Sequence, residues 1–380
     1  MRIKRESYST VRVRRERKKI TSQPSSSRKT FDSEESQCIE KLNKEYDKYY
    51  VTVRLTLALK KALEKYNIEN IQFHQTEYNL QSVHDSKKVT PDVAWEESSG
   101  ELILFEIKSS FPFTHELLKR ELLDLKKYDA DLIRLDQRDI ISENHEFVLL
   151  CPLIDYEAVS NGINNLGSAI AFSHHFSIWT WSEVDALRSG STNSIVIERK
   201  RGEMSDSILN SVSKHIHIDA LDLIEESERF IFVPAPPPDV YLIERIFNQI
   251  FPGIFPQKEK VFISFEEIVR IAKSYYIAWP EDQRTTSQIR SGWIRRGLDI
   301  LEELSLAEKN SEGEYYVQSW LGRRTKNLRE YIIKELCKRE LGKREVEEEE
   351  ERKKLVAEKQ QKLDEFLVQN RSSSIEEEEK

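Results

Sequence analysis

The segment Glu101–Ile107 reads ELILFEI and constrains the fold more than any other stretch of the chain. Four successive apolar residues, Leu102 to Phe105, leave a strand with no face that suits water, so it must lie in a sheet covered on both sides. The neighbouring pattern supplies the cover. From Ser36 to about Tyr66, Leu42, Tyr46, Tyr49, Val53 and Leu57 recur at helical spacing and predict a long amphipathic helix. Extended segments follow at Ile71–Tyr78 and Val93–Trp95. Beyond Pro112, Leu118, Leu122, Leu125, Tyr128, Leu132 and Leu135 repeat at threes and fours, which predicts a second amphipathic helix. Strands at Phe147–Cys151 and Ser177–Trp181, with a helix over about Tyr156–Asn165 between them, complete a mixed α/β layer architecture.

At 380 residues the chain is long enough for two or three domains. The run VPAPPPD at Val233–Asp239 removes backbone donors and fixes φ, so it reads as a linker. After it come a helix near Val240–Ile250, a second opened by the capping box Ser264-x-x-Glu267, and a third over about Thr286–Leu304. The stretch Leu306–Val317, with NSEG at its turn, reads as a hairpin. Three helices followed by a β-hairpin resemble a winged helix-turn-helix. The expected division is a basic disordered arm over 1–33, an α/β domain over 34–232, the linker 233–239, a winged-helix-like domain over 240–322, and a charged helical and acidic low-complexity tail over 323–380.

The net charge of −8 conceals a polarity along the chain, and that polarity bears on partners. Residues 1–30 carry eleven Lys or Arg against two Glu, including RVRRERKK at Arg12–Lys19, whereas Glu347–Glu351 and Glu376–Glu379 make the far end acidic. The basic run suits phosphate contact, a nuclear-import signal or a solubilising arm. No apolar run reaches membrane length, and the charged opening MRIKRESYST does not suit an export signal, so a cytoplasmic protein is expected, or a nuclear one in a eukaryote. Cys38, Cys151 and Cys337 are few, odd in number and without metal-ligand spacing, so ordinary thiols are expected. His174, His175, His215 and His217 lack regularly spaced partners and read as ordinary histidines.

The chemistry-bearing pattern lies on the central strand and its neighbour. Asp92 follows Pro91 at the start of one extended segment, and Glu106-Ile107-Lys108 closes the next. The thirteen residues between Asp92 and Glu106 are hairpin spacing, and a turn at Glu97–Gly100 would set the two acids across the ladder from one another. Period-two alternation then turns Glu106 and Lys108 to the same face. Carboxylates with a backbone carbonyl make a hard oxygen site suited to Mg²⁺ or Mn²⁺. The expected ligands are Asp92, Glu106 and the carbonyl of Ile107, with Lys108 stabilising anionic charge. The plain alternative is a solvated hairpin face with a surface ion pair.

Pro91-Asp92 and Glu106-Ile107-Lys108 resemble the motif of the PD-(D/E)XK nuclease superfamily over roughly residues 36–182. The resemblance implies a restriction-endonuclease-like mixed sheet flanked by helices, and a metal-dependent endodeoxyribonuclease hydrolysing phosphodiesters in restriction, defence or repair. Many members also use a glutamate of the first helix, for which Glu45 is the candidate here. RecB-like members carry Gln-x-x-x-Tyr after the lysine, whereas this chain has Asp124 and Tyr128. Candidate nucleic-acid contacts are Lys119, Arg120, Lys126, Lys127 and Arg134 after the motif, and Arg290, Arg295 and Arg296 on the third helix of the later domain. DNA is the expected partner, with RNA left open beside it and a second copy or another protein as a further partner of the C-terminal region. The competing reading is a winged-helix DNA-binding or regulatory protein whose nuclease-like domain does not cleave.

Overall fold

The computed structural model describes residues 26–378 apart from 67, 69–70, 76–79, 83–87, 99–100, 113, 130–131, 135–140, 143–144, 168–174, 185–193, 203–214, 230–231, 234, 252–260, 276–290 and 318–327. Among the described residues, a long helix α1, Ser26–Lys65, precedes eleven strands and three further helices. In chain order these are β1 Ile71–Gln75, β2 Leu80–Ser82, β3 Lys88–Val89, β4 Val93–Glu97, β5 Leu102–Ile107, α2 His115–Asp124, β6 Leu132–Arg134, β7 Ile141–Ser142, β8 His145–Pro152, α3 Tyr156–Leu166, β9 His175–Val184, β10 Ser194–Arg201, β11 His215–Ile218 and α4 Ala220–Arg229. The main sheet is mixed, seven-stranded and ordered β1-β4-β5-β8-β9-β10-β11. The hairpins at its two ends are antiparallel, while β5, β8 and β9 run parallel, so their carboxyl ends meet at one edge of the molecule. A small sheet, β3-β2-β6-β7, stands beside it.

The four-residue apolar run of β5 is buried throughout, as its composition requires. Leu102 and Leu104 share one core with Ala94, Phe147, Leu149 and Ile178 from neighbouring strands, with Leu118 and Leu122 of α2, and with Val159 and Ile163 of α3. Each such side chain contributes about 1.5–3 kcal/mol on full burial. Phe105, of the other parity, packs edge-on against Trp95 and Trp179, with centroids 4.7 and 5.7 Å away. Gly162 leaves room for α2 against α3, since a Cβ there would lie 2.8 Å from Leu122 Cδ1 and that methyl would have to shift.

Three expectations are corrected. The helix after Pro112 ends at Asp124, tightens into a 3₁₀ turn at Leu125–Tyr128, and gives way to β6, where Leu132 pairs with Ser82. Leu132 keeps the apolar period yet is buried as a strand residue, because a strand partner satisfies its backbone as well as a further helical turn would. The expected disordered arm lies largely in residues 1–25, outside the described residues, but α1 already begins at Ser26. Cys38 and Cys337 are disulfide-bonded, which an odd count permits, and the buried Cys151 is free.

Beyond the sheet come α5 Asp239–Arg245, continued by a π turn at Ile246–Ile250, α6 Phe265–Ser274, α7 Ser291–Glu303, the hairpin of β12 Ala307–Lys309 and β13 Tyr315–Val317, and α8 Leu328–Glu378. The expected cap is present, with Ser264 Oγ accepting from Glu267 N at 3.3 Å. Ile263 and Tyr315 exchange two backbone hydrogen bonds of 2.9 and 2.8 Å, adding a single bridge to the hairpin.

Contacts divide the chain into two units, residues 39–340 and residues 1–38 with 341–380. The second unit is helical in its described residues, the start of α1 and the greater part of α8. The proline run lies inside the first unit, with Val233 and Pro237 buried and Ala235 and Pro236 exposed. Tyr49 Oη meets both the N–H and the carbonyl of Val233 at 3.2 Å, and Tyr241 of α5 packs on Tyr46 and Tyr49 of α1. Glu244 accepts from the Tyr46 hydroxyl, and the Arg329 guanidinium lies 3.8 Å from the Tyr46 ring centroid. Among the described residues, no helix is long and apolar enough to cross a membrane.

Candidate active site

Strand parity brings the predicted residues together. Val93 stands opposite Phe105 in the β4–β5 ladder, so Asp92 shares a face with Ala94, Leu104 and Glu106, the face that α2 covers. Asp92 N donates to Phe105 O at 2.9 Å, and Glu97 N to Glu101 O at 2.8 Å, which closes the hairpin at both ends. Ile107, whose carbonyl is the expected third ligand, is fixed by its N–H, which donates to Asp92 Oδ2 at 2.7 Å. Lys108 N donates to Leu150 O at 2.9 Å, and Lys108 O accepts from Trp181 Nε1 at 3.1 Å, so the strand end is held by β8 and β9 together.

The side chains form a chain of charge. Lys108 Nζ lies 3.1 Å from Glu106 Oε1 and 3.2 Å from Glu121 Oε2 of α2. The Tyr128 hydroxyl donates to Glu106 Oε2 and lies 3.3 Å from Thr90 O. Tyr128 is itself buried, its ring stacked on Phe147 at 4.5 Å and its carbonyl accepting from His145 Nε2 at 2.6 Å. Both Glu106 oxygens are thereby engaged on a side chain only 12% exposed.

Burial, followed by the nearby Glu106 carboxylate, pushes the Asp92 carboxyl up to about 7, against the opposing pull of the Ile107 N–H and the Lys108 and Lys127 ammonium groups. For Lys108, burial works against the charge, but the Glu106 and Glu121 carboxylates outweigh it and raise its pKa. Tyr128 is held well above its ordinary value by burial and then by Glu106, so it is a donor at every physiological pH.

The donor set can be tested for fit. Among the described residues, no group of three or more His, Cys, Asp or Glu side chains gathers in a metal-holding arrangement. Asp92 and Glu106 give two carboxylates, and Mg²⁺ is commonly held by one or two carboxylates together with waters and substrate phosphate oxygens. The raised pKa of Asp92 marks a negative charge that its surroundings under-compensate, which a divalent cation would relieve. The residues fit such an ion.

The other candidates are placed elsewhere. Glu45 is exposed on α1, and none of the described bonds of the centre involves it, because the buried face of that helix runs through Tyr46, Tyr49 and Val53. Lys119 and Arg120 are exposed on α2. Lys126 and Lys127 pair with Asp129 and Asp124 at 3.0 Å each. Arg290 and His174 lie outside the described residues, as do the side chains of Arg134 and His175. Arg295 is exposed with its guanidinium 4.4 Å from the Phe265 ring centroid, while Arg296 pairs with Asp239 at 2.7 Å and donates to Pro237 O at 2.9 Å. Glu121 was not singled out from the sequence, although it stands on the same helix as Leu118 and Leu122, three positions from the first of these. The Tyr128 ring takes the core position expected of it, and the hydroxyl's reach to Glu106 is the part no periodicity reveals.

No protein-family model matches the chain, and neither a curated protein nor a solved structure matches it.

Proposed function

We propose that the chain is a divalent-metal-dependent phosphodiesterase of the PD-(D/E)XK type acting on DNA, with Asp92, Glu106 and Lys108 at its centre. The observation that carries this reading is the convergence of two acids and one ammonium at the carboxyl end of the central strand, with the Asp92 carboxyl held up to about 7 by burial and then by the neighbouring Glu106 carboxylate. An exposed hairpin ion pair would not perturb a carboxyl in this way. The parallel run of β5, β8 and β9 between antiparallel hairpins, with α2 and α3 on one face, agrees with a restriction-endonuclease-like sheet.

Asp92, Glu106 and the Ile107 carbonyl would hold Mg²⁺ or Mn²⁺, which would supply Lewis acidity towards a phosphate and a lowered pKa to an attacking water. Lys108 offers its ammonium to anionic charge developing on the phosphate, in a setting only 21% exposed where such contacts count for more than in water. Tyr128 fixes the direction of the Glu106 carboxylate, and the Ile107 N–H fixes that of Asp92.

The later helices favour a second, narrower statement. The order α5, the Ile263 bridge, α6, α7 and the β12–β13 hairpin agrees with a winged helix. Yet α7 exposes Asp299, Glu302 and Glu303 beside Arg295, and the hairpin tip carries the exposed Glu312 and the acidic Glu314, whose N–H groups both donate to Asn310 Oδ1. Such a face repels a phosphate backbone, so we read this module as docking a protein.

The test is cleavage of supercoiled plasmid and of branched DNA with Mg²⁺ or Mn²⁺. Metal-dependent cutting that falls at least roughly hundredfold in both Asp92→Ala and Lys108→Ala supports the enzyme reading. Tight DNA binding without cleavage in either metal would replace it with the non-cleaving reading.

A further inference from the structure

Lys108 stands between two carboxylates, and only one of them belongs to the proposed centre. Glu106 shares its strand and its face. Glu121 reaches in from α2, the covering layer, and its Oε2 lies 3.2 Å from Lys108 Nζ while Glu106 Oε1 lies 3.1 Å away on the other side. The two acids differ in setting. Glu106 is 12% exposed and has its second oxygen occupied by the Tyr128 hydroxyl, whereas Glu121 is 44% exposed and opens to solvent. The ammonium thus bridges the buried acid to the mouth of the site.

This arrangement has a consequence for a divalent cation. In the geometry described, Lys108 is itself the cation on Glu106 Oε1, and it competes for the charge that a metal ion needs. A second anion that draws the ammonium sideways weakens that competition and keeps Lys108 at the mouth, where a phosphate would arrive. Resting on the proposed metal-centre reading, we propose that Glu121 is a positioning residue that draws Lys108 off Glu106 when a divalent cation binds and holds its ammonium towards the substrate. Glu121 need not touch metal or substrate to do so, and its effect passes wholly through Lys108.

That last property makes the idea testable apart from the reading it rests on. Mn²⁺ binding to the full chain, followed by the loss of the free-ion EPR signal, is measured for wild type, Glu121→Gln, Lys108→Gln, the double variant and Asp92→Ala. Glu121→Gln should weaken Mn²⁺ binding roughly tenfold, the lower end of what removal of an outer partner costs a metal site. In the Lys108→Gln background the same change should leave Mn²⁺ affinity within about twofold, since the competing ammonium is gone. Glu121→Asp, which keeps the charge on a shorter arm, should fall between Glu121→Gln and wild type. A tenfold loss that persists without Lys108 would show that Glu121 acts as a bare charge or a ligand, and an unchanged affinity in Glu121→Gln would show that it does nothing; either overturns the proposal while leaving the metal centre standing. Mn²⁺ binding by wild type that Asp92→Ala does not reduce would overturn both.

Discussion

Replacing Asp92 by asparagine should stabilise the protein at alkaline pH and leave it unchanged at acid pH. The Asp92 carboxyl rises from its ordinary 3.8 to about 7 on folding, chiefly through burial and then through Glu106. The folded state therefore binds this proton more tightly than the unfolded state does. Between about pH 4 and pH 7 the unfolded chain has released it and the folded chain has not, so stability declines as pH rises through that window and levels off above it. The rise corresponds to at most about 4 kcal/mol. The amide introduced by Asp92→Asn cannot ionise, yet its oxygen can still accept from the Ile107 N–H that Asp92 Oδ2 now engages at 2.7 Å. Urea unfolding in EDTA should show the variant about 2–4 kcal/mol more stable than wild type near pH 8 and equal to it near pH 4. An equal gain at both pH values, or a loss at pH 8, would refute the claim that an under-compensated carboxylate sits at this strand end.

Three further expectations follow, two at the site and one at the end of α7. Mn²⁺ should raise the melting temperature more at pH 8 than at pH 5.5, because a ligand carboxyl must be ionised to bind, and a pH-independent shift in differential scanning fluorimetry would count against Asp92 as a ligand. Tyr128→Phe should lower stability by about 1–3 kcal/mol in urea titrations, since a mostly buried Glu106 oxygen loses its donor while the ring keeps its stacking on Phe147. Ser305→Gly should add about 0.5–1 kcal/mol, because Ser305 closes α7 at φ 57°, a left-handed conformation that costs a side-chain-bearing residue and costs glycine nothing.

The sequence made the centre legible because the relevant period is two and local. A hairpin of short arms puts Asp92 against Glu106, and alternation puts Lys108 beside it, with no long-range information needed. The Ser264 N-cap was readable because it too is local, although the Glu267 carboxylate turns to Arg270 rather than back to the cap. What could not be read depends on contacts between distant segments. Leu132 fits a helical stripe and a strand equally well, and the choice was made by Ser82, fifty positions earlier. Strands β10 and β11 carry SIVIERKR and HIHI, too polar to stand out until their partners are known. Glu121 looks like any exposed helix glutamate until the helix is laid over Lys108. Glu45, the candidate from the resemblance, is exposed because the buried face of α1 runs through Tyr46, Tyr49 and Val53.

The Tyr49 hydroxyl that clasps both backbone groups of Val233, with Tyr241 wedged against Tyr46 and Tyr49, fastens α5 to α1. In an enzyme built this way, α7 and its hairpin keep a constant span from Lys108. A protein docked on the helical module would then be held at one set distance from the proposed centre.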